Sequence, residues 1–151
     1  MRMELIQPFI NAADAVFAES LQAPTKIVDL AMDEETYRRK GIAALILIKG
    51  EIEGHVILDL APEVALKVAS HLAGSAVVES EQLARETVCE LANMVIGNSV
   101  TLLNDQGLSG GTDTEAMVIC IETPCGQVYL NIAMHYLHRR RQERETAPSI
   151  D

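Results

Sequence analysis

Apolar residues recur along the chain with two periods, one of about 3.6 residues that marks helices and one of about two that marks strands. In the first half, these patterns predict a helix from about Pro8 to Leu21, a strand from Thr25 to Met32, a polar loop or strand edge over 33–41, and a hairpin of Ile42–Ile48 and Ile52–Leu60. Pro8 suits the first turn of a helix, because the N–H groups of that turn have no partner within the helix and the N–H that proline lacks is not needed there.

The second half repeats the alternation of helix and hairpin. The patterns predict a helix from Pro62 to Gly74, a long helix from Ser80 or Glu81 to about Leu103, and a hairpin of Glu115–Glu122 and Gly126–Met134. Ser80 can cap the long helix, and Glu81 is well placed against its dipole. The whole chain, 1–151, is expected to be one domain with a polar tail at 138–151.

The two hairpins also repeat each other in sequence. One register aligns Ala44–Ile48 with Ala116–Cys120 and Gly54–Ala61 with Gly126–Ala133 without a gap. The longer pair shares Gly-x-Val-x-Leu-(Asp/Asn)-(Leu/Ile)-Ala, a pattern that chance alignment of apolar strands does not easily give. We interpret this as a helix-then-hairpin unit used twice. The fold is predicted to be α/β of the α+β type, with helices on one face of a mainly antiparallel sheet and a pseudo-twofold axis between the hairpins.

Composition narrows the class of protein. A chain of 151 residues fits one domain, and 48% hydrophobic content with 3% aromatics implies a core of aliphatic residues and methionine. The longest apolar run, Ile42 to Ile48, is too short to span a membrane, and the amino end does not resemble a signal peptide, so we expect a cytoplasmic protein. A net charge of −10 argues against nucleic acid and anionic membrane as partners.

Three cysteines and two late histidines are the candidates for reactive or metal-binding residues. Cys89, Cys120 and Cys125 are an odd number and do not form a C-x-x-C pair, so we expect reduced thiols in the core. His135 and His138 have helical metal spacing but lack further ligands nearby. We therefore expect the chain to hold no metal and no cofactor of its own.

The long helix has an apolar face and an opposite polar face. The apolar stripe, which should face the core, consists of Ala84, Val88, Leu91, Val95 and Leu102. A second stripe, offset by roughly 200° around the helix, consists of Glu86, Glu90, Asn93, Gly97, Val100 and Asn104. Glu90 and Asn93 are three residues apart, so their side chains can reach one small volume together. From spacing alone, an ordinary solvated helix face is the more common interpretation.

The wider sequence around Glu90 and Asn93 favours a functional pair over a merely solvated helix face. Residues 90–98, ELANMVIGN, resemble the E-x-x-N helix signature of the CheX/CheC/FliY family of chemotaxis phosphatases. The beginning at 7–12, QPFINA, and the segment 50–57, GEIEGHVI, resemble the same family. The resemblance covers most of the chain from Gln7 to Met134, and the length with a single E-x-x-N copy is most similar to CheX.

This resemblance implies a specific activity. Such a protein would act as an auxiliary phosphatase that promotes hydrolysis of the aspartyl phosphate on a CheY-like response regulator, with Mg²⁺ bound by that partner. Asn93 would orient the attacking water and Glu90 would pair with a lysine of the regulator. Glu86, where the family pattern often has Asp or Ser, and Gly97, where another backbone can come close, are expected to contact the partner. The alternative is a binding module of the same fold that engages a response regulator or flagellar switch component without hydrolysis.

The resemblance also bears on assembly. Relatives of the CheX type are dimers, and we expect the apolar strands of the second hairpin to leave an edge unpaired in a monomer. We therefore predict a twofold homodimer with the Glu90–Asn93 helices facing solvent.

Overall fold

The computed structural model describes residues 3–32, 37–49, 52–74, 79–106 and 114–136. In these ranges the chain forms, in order, α1 (Met3–Leu21), β1 (Lys26–Met32), β2 (Ile42–Ile48), β3 (Ile52–Leu60), α2 (Pro62–Ala73), α3 (Glu81–Gln106), β4 (Thr114–Thr123) and β5 (Gly126–Tyr136). The polar tail at 138–151, the predicted loop 33–36 and His138 lie outside the described residues.

All five strands form one sheet in the order β1-β4-β5-β3-β2, and every neighbouring pair is antiparallel. The three helices pack on one face, so the predicted α+β architecture is confirmed. The second hairpin lies in the interior of the sheet, because β4 pairs with β1 and β5 pairs with β3. The expectation that this hairpin leaves an open edge is therefore wrong. The edge strands are β1 and β2.

The two hairpins meet along β3 and β5 about a local twofold axis. Leu58 lies directly opposite Leu130, which is its own equivalent in the sequence repeat. On either side of that pair, Val56 lies opposite Ile132, the equivalent of Leu60, and Leu60 lies opposite Val128, the equivalent of Val56. The predicted twofold relation is thus present in the pairing of the inner strands.

The single ungapped alignment is right for the inner strands and wrong for the outer ones. Ala44 faces Leu58, but the residue that faces Leu130 is Ile119, three residues beyond the predicted equivalent Ala116. The cause is the length of the turns. Ladder pairing in the first hairpin ends at Ile48 with Gly54, whereas in the second it ends at Thr123 with Gly126, which shortens the turn by three residues. Since sheet faces alternate with a period of two, this odd shift also exchanges which face Ala44 and Ala116 occupy.

The first helix begins earlier than its sequence pattern predicts. It starts at Met3, and Pro8 lies inside it rather than in the first turn. Proline inside a helix removes one backbone hydrogen bond, but Ile6 is completely buried in the core. Burial of Ile6, ahead of Pro8, offsets the missing bond, and this tertiary gain is not visible in the local sequence.

Candidate functional site

The candidate site is built on α3, whose start is fixed by a side-chain cap. The Leu83 N–H donates to Ser80 Oγ at 3.2 Å, and the Ala84 N–H donates to the Ser80 carbonyl at 3.1 Å. The predicted cap is therefore confirmed. The helix continues to Gln106, slightly past the predicted end, and its 26 residues give a rod of about 39 Å.

One side of α3 is buried against the rest of the fold. Ala84, Val88, Leu91 and Val95 are each at most 1% exposed, as the apolar stripe predicts. This side packs against α1, α2 and the edge strand β2. The side chain of Leu102, the last member of the stripe, lies outside the described residues.

The opposite side of α3 forms an exposed ridge, here called the α3 crest, made of Glu86, Glu90, Asn93 and Gly97. Within the described part of the chain, neither the Glu90 carboxylate nor the Asn93 amide makes a hydrogen bond to another residue. Glu86 is held along the helix, because Gln82 Nε2 donates to its Oε1 at 3.0 Å. A Cβ added at Gly97 would meet nothing within 4 Å, so the surface is open there. The side chains of Val100 and Asn104 lie outside the described residues.

An apolar groove runs along the side of the crest that faces α1 and α2. Its volume is about 450 Å³, and it is lined by Ser20, Leu72, Glu86, Thr87, Glu90, Leu91 and Met94. Leu72 and Met94 are large apolar side chains with 43% and 40% exposure. The Glu90 carboxylate therefore stands at the rim of an apolar surface that is still open to solvent.

A second groove, here called the basic groove, runs along the β2 side of the crest. Its volume is about 530 Å³, and it is lined by Arg39, Lys40, Gly41, Ile42, Ala43, Pro62, Glu81, Arg85 and Cys89. Arg85 bonds through Nη2 to Glu81 Oε1 at 2.8 Å, one turn earlier on the same helix. The crest thus separates an apolar groove from a cationic one.

The wall of the basic groove is anchored by a buried carboxylate. Asp59 on β3 is completely buried and accepts three hydrogen bonds from the segment that leads into β2. Tyr37 OH donates at 2.7 Å, the Lys40 N–H at 2.6 Å and the Gly41 N–H at 2.9 Å. Lys40 Nζ also lies 5.0 Å from the centre of the Tyr129 ring, within the range of a cation–π contact. Residues 37–41, which the sequence presents only as a polar loop or strand edge, are therefore firmly attached to the sheet.

Sequence reasoning missed this anchor, although one signal for it exists. Asp59 occupies the (Asp/Asn) position of the repeated pattern, and its equivalent is Asn131. Both side chains are buried, and Asn131 Oδ1 lies 2.8 Å from His55 Nε2. A polar residue retained at the same place in two apolar strands indicates a hydrogen-bonding role, since such groups are rarely buried without partners.

The cysteines fit their prediction only in part. Cys120 is buried and Cys125 is partly buried, and burial raises the pKa of both thiols above the ordinary value. Cys89 is exposed beside the crest, so the expectation of a core thiol is wrong there. All three are free. Cys89 lies outside the core because it falls between the two stripes of α3.

Two further features of the chain bear on the kind of site. Among the described residues, no group of three or more His, Cys, Asp or Glu side chains is arranged to hold a metal ion. The side chain of His135 lies outside this description. No helix in the same part of the chain is long and apolar enough to cross a membrane.

Comparison with known proteins gives one family and one group of related structures. The family model of the chemotaxis phosphatase CheX matches residues 42–124, more than half of the chain and including Glu90 and Asn93. Searching the curated proteins gives no match.

Solved structures of similar fold come from several bacteria. A CheC-like superfamily protein from Shewanella sp. PV-4 is 18% identical, with a TM-score of 0.76 over 89% of this chain and 99% of that one. CheX from Borrelia burgdorferi, solved with CheY, BeF₃ and Mg²⁺, is 23% identical, with a TM-score of 0.72 over 89% and 99%. CheX from Vibrio vulnificus is 16% identical, with a TM-score of 0.71 over 87% and 99%. At these identities the likeness concerns the fold.

Proposed function

The chain belongs to the CheX family of chemotaxis phosphatases, and on that basis we propose that it promotes hydrolysis of the aspartyl phosphate on a CheY-like response regulator. The observation that carries this proposal is the α3 crest. It presents a carboxylate and an amide, three residues apart, on the exposed side of the helix, and neither group bonds to another residue in the described part of the chain. A helix of this kind can enter the active site of another protein.

In the proposed reaction Asn93 orients a water molecule. The water oxygen attacks phosphorus, the bond from phosphorus to the aspartyl oxygen breaks, and the electron pair stays with the departing carboxylate. Inorganic phosphate is the product. An amide suits this role because it can donate one hydrogen bond and accept another, which fixes the direction of the water. Amide side chains position water in other phosphoryl-transfer sites, where orientation is a large part of catalysis.

Glu90 is proposed to hold the partner in place rather than to remove a proton. A glutamate carboxylate is a weak base at neutral pH, whereas it pairs well with a lysine ammonium. Glu90 lies at the rim of the apolar groove, so the stem of such a lysine can lie against Leu72 and Met94 while its ammonium reaches the carboxylate. Glu86, one turn earlier, adds negative charge to the same rim, and Gly97 leaves space for backbone of the partner.

We extend the proposal to the metal ion, the compartment and the oligomeric state. Mg²⁺ is supplied by the phosphorylated partner and stabilises charge on the transferred oxygens, so this chain needs no cofactor of its own. The protein is proposed to act in the cytoplasm, where its free thiols stay reduced. We also propose a twofold homodimer that leaves both α3 crests accessible.

Replacing the proposed water-orienting residue tests the function. Asn93→Ala should reduce the stimulated decay of a phosphorylated receiver domain by about 100-fold, equivalent to about 2.7 kcal/mol of barrier, because the lost contact acts in the transition state. The free energy of unfolding should change by no more than about 0.5 kcal/mol, since the side chain is exposed. Glu90→Ala should also lower activity, and excess partner should restore part of it.

The matched control is Asn98→Ala, which removes the same amide from an exposed position of the same helix. Asn98 is roughly 140° around the helix from Asn93 and lines neither groove. It should hydrolyse the phosphorylated receiver as fast as the wild type does. If Asn93→Ala also keeps full activity, the phosphatase mechanism is wrong and the non-catalytic binding module becomes the better account.

A further inference from the structure

The basic groove stands out against the charge of the whole molecule. The chain has 22 acidic and 12 basic side chains and a net charge of −10, yet Arg39, Lys40 and Arg85 line one groove together. Glu81 is the one carboxylate in that lining, and it is paired with Arg85. Three cations against one anion leave the groove positive on an otherwise acidic protein, which concentrates attraction for anions at this place.

Two of the three cations, Arg39 and Lys40, belong to a wall of the groove that is already ordered. The three hydrogen bonds to Asp59 fix the backbone of residues 37–41. Binding of a partner therefore does not have to meet the entropy cost of ordering this segment. Arg39 and Lys40 are exposed, and no carboxylate in the described part of the chain forms an ion pair with either. The Lys40 ammonium itself lies 5.0 Å from the centre of the Tyr129 ring, a cation–π contact that does not neutralise its charge.

The groove is also adjacent to the proposed catalytic pair. Arg85 and Cys89 face the groove, while Glu86 and Glu90, their neighbours in sequence, belong to the crest. Along the helix axis, Arg85 lies only about 7.5 Å from Glu90. A globular partner that covers Glu90 and Asn93 must therefore also extend over one or both grooves.

From these observations we infer that the basic groove binds an acidic surface segment of the phosphorylated partner and thereby sets the orientation in which that partner approaches the α3 crest. The inference rests on the proposed function, because it assumes that a partner docks at Glu90 and Asn93. The carboxylates of the segment would pair with Arg39, Lys40 and the free side of the Arg85 guanidinium. Charge pairs at the border of an interface mainly guide encounter and fix register.

The test uses a CheY-like receiver domain from the same genome, held in its phosphorylated-like state by beryllofluoride and Mg²⁺. Binding to the full chain is measured by titration calorimetry at low and high salt, about 50 mM and about 300 mM NaCl, which shortens the screening length. The double variant Arg39→Glu with Lys40→Glu should bind at least about tenfold more weakly at low salt. Its affinity should also depend much less on salt than that of the wild type.

The control double variant is Lys26→Glu with Lys49→Glu. It changes the net charge by the same amount, and both lysines are exposed like the residues that they match. They lie away from the basic groove, because Lys26 is on β1, the opposite edge strand of the sheet, and Lys49 follows the far end of β2. It should bind almost as the wild type does, and thermal melts of all variants should coincide.

Several results would overturn the inference. Equal weakening by both double variants would show that only the overall charge matters. Unchanged affinity of Arg39→Glu with Lys40→Glu would show that the groove lies outside the interface. Displacement of the receiver by millimolar inorganic phosphate, at matched ionic strength, would identify the groove as a site for a free anion instead. If the wild type hydrolyses the phosphorylated receiver while any of these occurs, the proposed function stands without the docking inference.

Discussion

Asp59 should be among the most sensitive polar positions in this fold. Replacing it with asparagine keeps its size but leaves one acceptor oxygen in place of two. The carboxylate now accepts two hydrogen bonds on Oδ2, from Tyr37 and the Lys40 N–H, and one on Oδ1, from the Gly41 N–H. Whichever way the new amide is turned, its NH₂ group points at a backbone N–H donor, so at least one bond is lost and donors are left facing each other.

The size of the effect follows from these contacts. Hydrogen bonds to charged groups contribute about 1.5–3 kcal/mol each, and a buried donor without a partner costs about 1–3 kcal/mol. Asp59→Asn should therefore lower the free energy of unfolding by about 3 kcal/mol. For a domain of this length that corresponds to a decrease of about 10 °C in Tm. The segment 37–41 should loosen as well, which would weaken binding at the basic groove.

Thermal melts followed by circular dichroism measure this directly, with Asp29→Asn as the control. Asp29 is exposed on the edge strand β1, so removing its charge should change the stability by no more than about 0.5 kcal/mol. A Tm of Asp59→Asn within about 2 °C of the wild type would refute the argument. It would mean that the three short contacts contribute little to the folded state.

Three more outcomes are expected. Cys89 should react with a disulfide reagent much faster than Cys120 or Cys125, because burial raises the pKa of those two thiols and lowers their thiolate fraction at neutral pH. Equal reaction rates of the three cysteines would contradict this. Gly97→Ala should raise the free energy of unfolding by up to about 1 kcal/mol, yet weaken receiver binding if partner backbone approaches there; unchanged binding would remove Gly97 from the interface. Light scattering should give a dimer, and a monomer at micromolar concentration would refute the assembly.

The parts of the fold that follow from local patterns were accessible from sequence. The hairpins, the Ser80 cap and the buried face of α3 each depend on residues close together in the chain. The early start of α1 did not follow, because burial of Ile6 by distant residues decides it. The outer-strand register was wrong for a related reason: an ungapped alignment cannot show that the two hairpin turns differ in length.

Some features of the candidate site likewise follow from local sequence and others do not. Exposure of Glu90 and Asn93 follows from helical periodicity, and their proposed roles follow from family resemblance. The two grooves that flank the crest do not, since each joins segments far apart in sequence. The basic groove brings Arg39 and Lys40 to Arg85 only because Asp59 attaches the 37–41 segment to the sheet. The sequence itself marks those residues only as a polar stretch.

The pairing of Leu58 with its own counterpart has a consequence for synthesis of the chain. A strand edge that is complementary to its sequence equivalent is also complementary to the same strand of a second molecule. As the chain leaves the ribosome, β3 emerges well before β5, with the long α3 between them. During that interval β3 can pair with β3 of a neighbouring nascent chain, with Leu58 opposite Leu58 in imitation of its native pairing with Leu130. Pairing of the first hairpins of two molecules is thus a misassembly that this architecture permits.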